Sequence, residues 1–155
     1  MKKPRYLRWI LLAEAVGALS DFLSRKGNAF YSLYVQKPSF SPPDWLFPVA
    51  WGILYALMGI GAARVEAQPP GSARSRGLNL FIVQLIVNFF WSLIFFNAQA
   101  YGAAFLWLLL LIVLVAAMTL NFFKTDKLAG YLQIPYLLWL IFAAVLNWAV
   151  WQLNR

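Results

Sequence analysis

Apolar positions along this chain come in runs of about twenty, separated by short polar stretches. A run of that length matches the roughly 30 Å hydrocarbon core of a bilayer at 1.5 Å of rise per helical residue. Five runs predict five membrane-spanning helices, at about 6–23, 44–63, 78–97, 103–123 and 131–153. Backbone groups in lipid must be satisfied within their own segment, which favours helices over open sheets. Continuous runs such as Leu106 to Val115 also contradict the alternation of a barrel strand. The expected fold class is therefore all-α, a five-transmembrane-helix bundle forming a single membrane domain over 1–155.

The connections sharpen that picture. Residues 24–43 form a long loop rich in aromatics and prolines, whereas 66–77 is polar and broken by Pro69, Pro70 and Gly71. The link near 98–102 is so short that the third and fourth helices should form an antiparallel hairpin. Pro135 is expected within the first turn of the fifth helix, where proline is tolerated, or as a bend in it. The N-terminal run resembles a signal peptide, but Glu14 interrupts it and no small-x-small site follows, so cleavage is not expected.

Composition excludes the soluble alternatives. Sixty-three per cent of residues are hydrophobic and 12% are charged, against roughly 45–50% and 25% in globular chains. A soluble core of this length could not hide so much apolar surface. The net charge of +8 would suggest nucleic acid in a polar chain, but here the basic residues cluster at segment ends. Nine (Lys2, Lys3, Arg5, Arg8, Arg64, Arg74, Arg76, Lys124 and Lys127) fall on the N-terminal side and four (Arg25, Lys26, Lys37 and Arg155) on the other. In a bacterial cell membrane, the expected setting, that bias would place the N-terminus on the cytoplasmic side. With no Cys and no His, there is no thiol nucleophile, no Cys/His metal site and no His-based acid–base chemistry, so neither metal nor cofactor is expected.

Candidate chemistry rests on aromatic and polar residues within the spans. Trp9, Trp45, Trp148 and Trp151 lie near span ends and fit interfacial anchoring. Trp51, Trp91 and Trp139 lie deeper, where an indole N–H needs a polar neighbour or a ligand. Gln84, Asn88 and Ser92 share one helical face, and Asn147, Tyr55 and Tyr136 add polar groups. These fit either helix–helix hydrogen bonds or the polar points of an apolar pocket. Glu14 is at mid-span, where it must be neutral, paired or facing a cavity. Asp21, four residues before Arg25, fits a local ion pair. The small pairs Ala13/Gly17, Gly52/Ala56 and Gly59/Ala63 permit close helix approach within one chain or between two.

Residues 36–58, QKPSFSPPDWLFPVAWGILYALM, resemble the signature of the translocator protein family, also called tryptophan-rich sensory proteins or peripheral-type benzodiazepine receptors. Phe30-Tyr31 precedes this block. Asn88-Phe89-Phe90-Trp91-Ser92 and Pro135-Tyr136 with Trp139, Phe142-Ala143 and Leu146-Asn147 resemble later family blocks. Phe30 and Phe40 stand where the family usually has Trp. At the C-terminus, Trp148 and Gln152 replace residues of a proposed cholesterol motif, so sterol recognition by that motif is not expected.

The resemblance implies a ligand pocket among Tyr31, Trp51, Asn88, Trp139, Ala143 and Asn147, with Phe90 and Trp139 as flat walls. It implies hydrogen bonds from Trp51 and Asn88, and the 24–43 loop as a lid. It implies an integral membrane receptor for tetrapyrroles such as protoporphyrin, or for sterols and isoquinoline or benzodiazepine-like drugs. The alternatives are light-dependent porphyrin degradation, with Trp51 and Trp139 as the photochemical residues, and transport of such ligands. No conventional catalytic motif is present. Expected partners are the apolar ligand, membrane lipid and a second copy in a homodimer, without nucleic acid. Arg25, Lys26 and Lys37 would attract ligand carboxylates at the pocket mouth, and free-base porphyrin fits better than a metalloporphyrin.

Overall fold

With no water to accept their hydrogen bonds, backbone amides in the apolar runs bond along their own segments. The computed structural model describes residues 2–155, and among them no strand occurs. The helices are α1 (Tyr6–Leu23), α2 (Arg25–Tyr34), α3 (Leu46–Glu66), α4 (Ser72–Ser92), α5 (Tyr101–Thr125) and α6 (Lys127–Asn154). A single π-helical turn, Leu93–Asn97, extends α4.

Four segments, not five, are long and apolar enough to cross a bilayer by length and composition: Leu46–Glu66, Ser72–Asn97, Tyr101–Thr125 and Lys127–Asn154. The exception is α1, whose 18 residues include Arg8, Glu14 and Asp21. The expected lid loop is also corrected, because half of it folds into α2, a ten-residue helix. Pro135 does not sit in a first turn. Asp126 caps α6 through Oδ2, which accepts from the Ala129 amide at 3.1 Å, so the helix starts at Lys127 and Pro135 is interior. The missing N–H costs one intrahelical bond, and the helix continues.

Packing concentrates in α5 against α6, α4 against α5, and α1 against α3. Glycines set the closest approaches. A Cβ on Gly59 would lie 2.5 Å from the Ile10 Cα, and one on Gly17 would strike the Tyr55 ring. Two of the three small-residue pairs therefore serve contacts within this chain. Phe81, Phe122, Met58, Met118 and Leu111 fill the core between α3, α4 and α5.

The end of the bundle where α3 runs into α4 and α5 into α6 is tied by polar contacts. Arg64 Nε and Nη2 donate to the Asp126 carboxylate at 2.6 and 3.2 Å. Arg74 donates to the Glu66 carbonyl, and the Lys2 amide donates to the Ala67 carbonyl. Among the described residues, Arg64–Asp126 is the only ion pair. The Asp21–Arg25 pair expected from spacing does not form. Arg25 instead caps the Phe22 carbonyl at 2.8 Å and lies over the Phe22 ring, because a guanidinium there satisfies orphan carbonyls at the end of α1.

Candidate functional site

At the opposite end, a cavity of about 570 Å³ opens between α1, α2, α3, α4 and α6. That is the size range of small-molecule pockets, roughly 300–1,000 Å³. Trp51 enters it from the second turn of α3, and Trp139 from the middle of α6. Their rings meet edge to face at 6.3 Å, so they share one wall rather than standing on opposite walls. Phe47 and Phe142 extend that wall, at 6.0 and 5.6 Å from Trp139. The early start of α6 brings Trp139 to the depth of Trp51.

Behind the wall runs a buried hydrogen-bonded chain. The Tyr55 hydroxyl donates to Asn88 Oδ1 at 3.3 Å, and Asn88 Nδ2 donates to the Tyr136 hydroxyl at 2.7 Å. Tyr136 in turn donates to Gln84 Oε1 at 2.7 Å. The Asn88 side chain thus uses one acceptor site of its oxygen and one of its two N–H groups within this chain of bonds. Asn147 is held similarly. Its Oδ1 accepts from Trp91 Nε1 at 3.1 Å, and its Nδ2 donates to the Tyr101 carbonyl at 2.9 Å. Tyr55, Asn88 and Asn147 thus brace helices and also line the cavity, whereas Gln84 and Tyr136 only brace.

Six of the seven residues expected in the pocket line it: Tyr31, Trp51, Asn88, Trp139, Ala143 and Asn147. Phe90 does not. It is exposed on the outer face of α4, because the face that carries Asn88 and Trp91 inward turns residue 90 outward. Neither Trp51 nor Trp139 hydrogen-bonds its indole N–H within the described residues. The Trp139 nitrogen is buried among rings. The anchoring role expected of Trp9 also changes: it is buried, edge-on to Phe81 at 5.5 Å.

Charge around the cavity reverses the expectation. Arg25 lines it, but Lys26 and Lys37 do not. Lys37 Nζ instead donates to the Ser32 and Val35 carbonyls at 3.1 and 3.0 Å and sits over the Tyr31 ring. Glu14, Asp21 and Asp44 all line the cavity, three of the five carboxylates in the chain. Sequence reading missed Asp44 because its role depends on where the chain after the lid re-enters α3.

Helix α2 and its flank are fastened at both ends. Asn97, in the π turn, donates to the Leu23 carbonyl at 2.9 Å. At the far end Asn154 Oδ1 accepts from the Gln36 amide at 3.1 Å, and Asn154 Nδ2 donates to the Gln36 carbonyl at 2.8 Å. Between them Tyr31 packs on Phe95 and Phe96, at 5.3 Å from each. Burial pushes the Tyr31 hydroxyl up to about 12, so it stays a neutral donor.

The chain as a whole is similar to known proteins. The TspO/MBR family profile matches residues 9–152. Protein CrtK of Rhodobacter capsulatus is 42% identical over 121 residues, covering 77% of this chain and 76% of the relative. Tryptophan-rich protein TspO of Chlorobaculum tepidum is 37% identical over 146 residues, 92% of this chain and 91% of the relative. The human translocator protein is 37% identical over 148 residues, 93% of this chain and 87% of the relative. The matched stretch includes every aromatic of the cavity wall, and this multi-pass membrane protein belongs to the TspO/MBR family.

Proposed function

We propose that this protein is a membrane receptor that holds a flat apolar ligand, a tetrapyrrole foremost, in the cavity beneath the lid. The observation that carries the reading is the wall of Trp51, Trp139, Phe47 and Phe142 beside a cavity of about 570 Å³, with the Trp51 N–H unpaired among the described residues. Large rings stack on such faces, and a free indole donor fixes orientation. With three carboxylates and one guanidinium at the cavity, neutral ligands suit it at least as well as carboxylated ones.

Titration with protoporphyrin, followed by tryptophan fluorescence and porphyrin absorbance, tests the reading. Saturable quenching in the dark supports it; its absence overturns it. Trp51→Phe keeps the wall but removes the donor, and should weaken binding by about 1–3 kcal/mol. New absorbing products that appear only in light would favour the light-dependent enzyme, with the Trp51–Trp139 pair as the photochemical residues.

The same proposal makes α1 a fifth span. Its outer face carries exposed Leu7, Leu11, Leu12, Leu19 and Phe22, suited to lipid, while Glu14 lines the cavity. The N-terminus then lies on the cytoplasmic side, with the basic loops gathered at that end. A cysteine at Ser75 should be protected from impermeant thiol reagents added outside, and one at Asn28 should react. A homodimer would need outward faces such as Ile82, Ile86 and Phe90 of α4, and detergent-corrected mass measures it.

A further inference from the structure

The cavity has a closed side and an open side, and the glycines of α1 and α3 define both. The two helices run antiparallel. Gly59 lies against the Ile10 backbone, and Gly17 against the Tyr55 ring. Continuing that register sets Ala18 and Asp21 of α1 across from Gly52 and Val49 of α3. Here the contact ends. A Cβ added at Gly52 would meet nothing within 4 Å among the described residues. Gly52, Ala18 and Asp21 nevertheless all line the cavity, and Ala18 and Asp21 are exposed. The helix pair is thus closed at one end and splayed at the other, leaving a slot into the cavity.

The rim of the slot is apolar. Leu19 and Phe22 on α1, and Val49 and Ile53 on α3, are all more than half exposed. Side chains of this kind face lipid rather than water in a membrane protein. On the α2 side, the Gln36–Asn154 clasp and buried Tyr31 hold the 25–36 segment against the bundle.

We propose that the slot between α1 and α3, centred on Gly52 and Ala18, is the entrance to the cavity, and that it admits flat neutral molecules already dissolved in the bilayer. The inference rests on the ligand-binding reading above. Gly52 controls access because a side chain there would extend into open space rather than into packed atoms. Helix propensity also favours almost any other residue over glycine at an interior helical position, so its absence of a side chain costs stability unless the open space is used.

The test uses the protein reconstituted in lipid vesicles carrying protoporphyrin dimethyl ester, a neutral macrocycle that partitions into membranes. Stopped-flow quenching of tryptophan fluorescence gives association and dissociation rates. Gly52→Phe should slow both rates at least tenfold. Ala18→Phe, on the facing helix, should do the same and serves if Gly52→Phe does not fold. Cysteines replacing Gln36 and Asn154, joined by a short thiol cross-linker, lock the lid in a chain that otherwise has no cysteine. Both rates should then stay within twofold of the parent. Saturable quenching with unchanged rates in the two Phe variants, or rates that collapse when the lid is locked, overturns the entrance and leaves the binding reading standing. No saturable quenching in the parent protein overturns both.

Discussion

The two ends of this bundle use similar residues to opposite effect. At the end of Arg64 and Asp126, glycines let helices touch, and large side chains fill what remains: Gly61 faces Gln133, and Gly77 and Gly130 face Phe122 and Phe123. At the lid end, Gly52 faces nothing within 4 Å among the described residues, and aromatic rings line space instead of filling it. Glycine content does not separate the ends, since Gly59, Gly61, Gly77 and Gly130 lie at one and Gly27, Gly52 and Gly102 at the other. The difference lies in what stands across from each residue. A glycine opposite a backbone makes a tight crossing, whereas one opposite open space keeps a passage clear. The packed end is the fixed frame, and the open end has been left room for a guest.

The largest effect that would break this contrast comes from the packed end. Gly59→Leu pushes a side chain into the Ile10 backbone, which cannot move aside as a flexible side chain can. It should cost about 3 kcal/mol or more, read as loss of the unfolding transition in mild detergent. Tolerance of this change would mean that α1 is loosely held along its whole length.

Gln84→Leu probes the seam between the two ends. It removes the acceptor for the fully buried Tyr136 hydroxyl, at a cost of about 1–3 kcal/mol. It should also weaken ligand binding, since Asn88 is held by the same chain. Unchanged affinity in a destabilised variant would confine the network to a structural role.

Asp126→Asn tests the tie at the packed end, and it does so through pH. The hydrogen bond from Arg64 holds the Asp126 carboxyl below its ordinary value of 3.8, and the cap to Ala129 adds to this. A lowered carboxylate contributes stability that is complete above its unfolded value and is lost as pH falls through the folded one. Parent and variant should differ by about 1 kcal/mol at neutral pH. The difference should close as pH drops below 3.8, as thermal unfolding across pH would show. A constant difference would place the effect in packing instead.

The smallest expected effect has the opposite sign. Gly52→Ala adds a methyl where nothing stands within 4 Å among the described residues, and should stabilise the protein by about 0.5–1 kcal/mol through helix propensity alone. The contrast between Gly59 and Gly52, one change ruinous and the other beneficial, is the sharpest form of the comparison.

The helices were legible in the sequence because hydrocarbon imposes its rule locally: an apolar run must satisfy its own backbone wherever it packs. The run lengths, the polar breaks at Pro69–Gly71 and 124–130, and the absence of Cys and His all speak without any partner. Spacing also put Gln84, Asn88 and Ser92 on one face, since helical periodicity is a property of one segment. The start of α6 was less legible, because the Asp126 cap extends it into a polar stretch that reads as a turn. Helix α2 was hidden for a similar reason. Its polar residues carry no apolar run, and it is held by Tyr31 on the π turn and by Gln36 on the distant Asn154. Tertiary structure alone decided that Phe90 turns outward, that Trp51 and Trp139 share a wall, that carboxylates rather than lysines line the cavity, and that one glycine closes a crossing while another opens a slot. Each of these depends on which residue stands opposite, and that pairing is set by helix register across the bundle, a quantity no single segment contains.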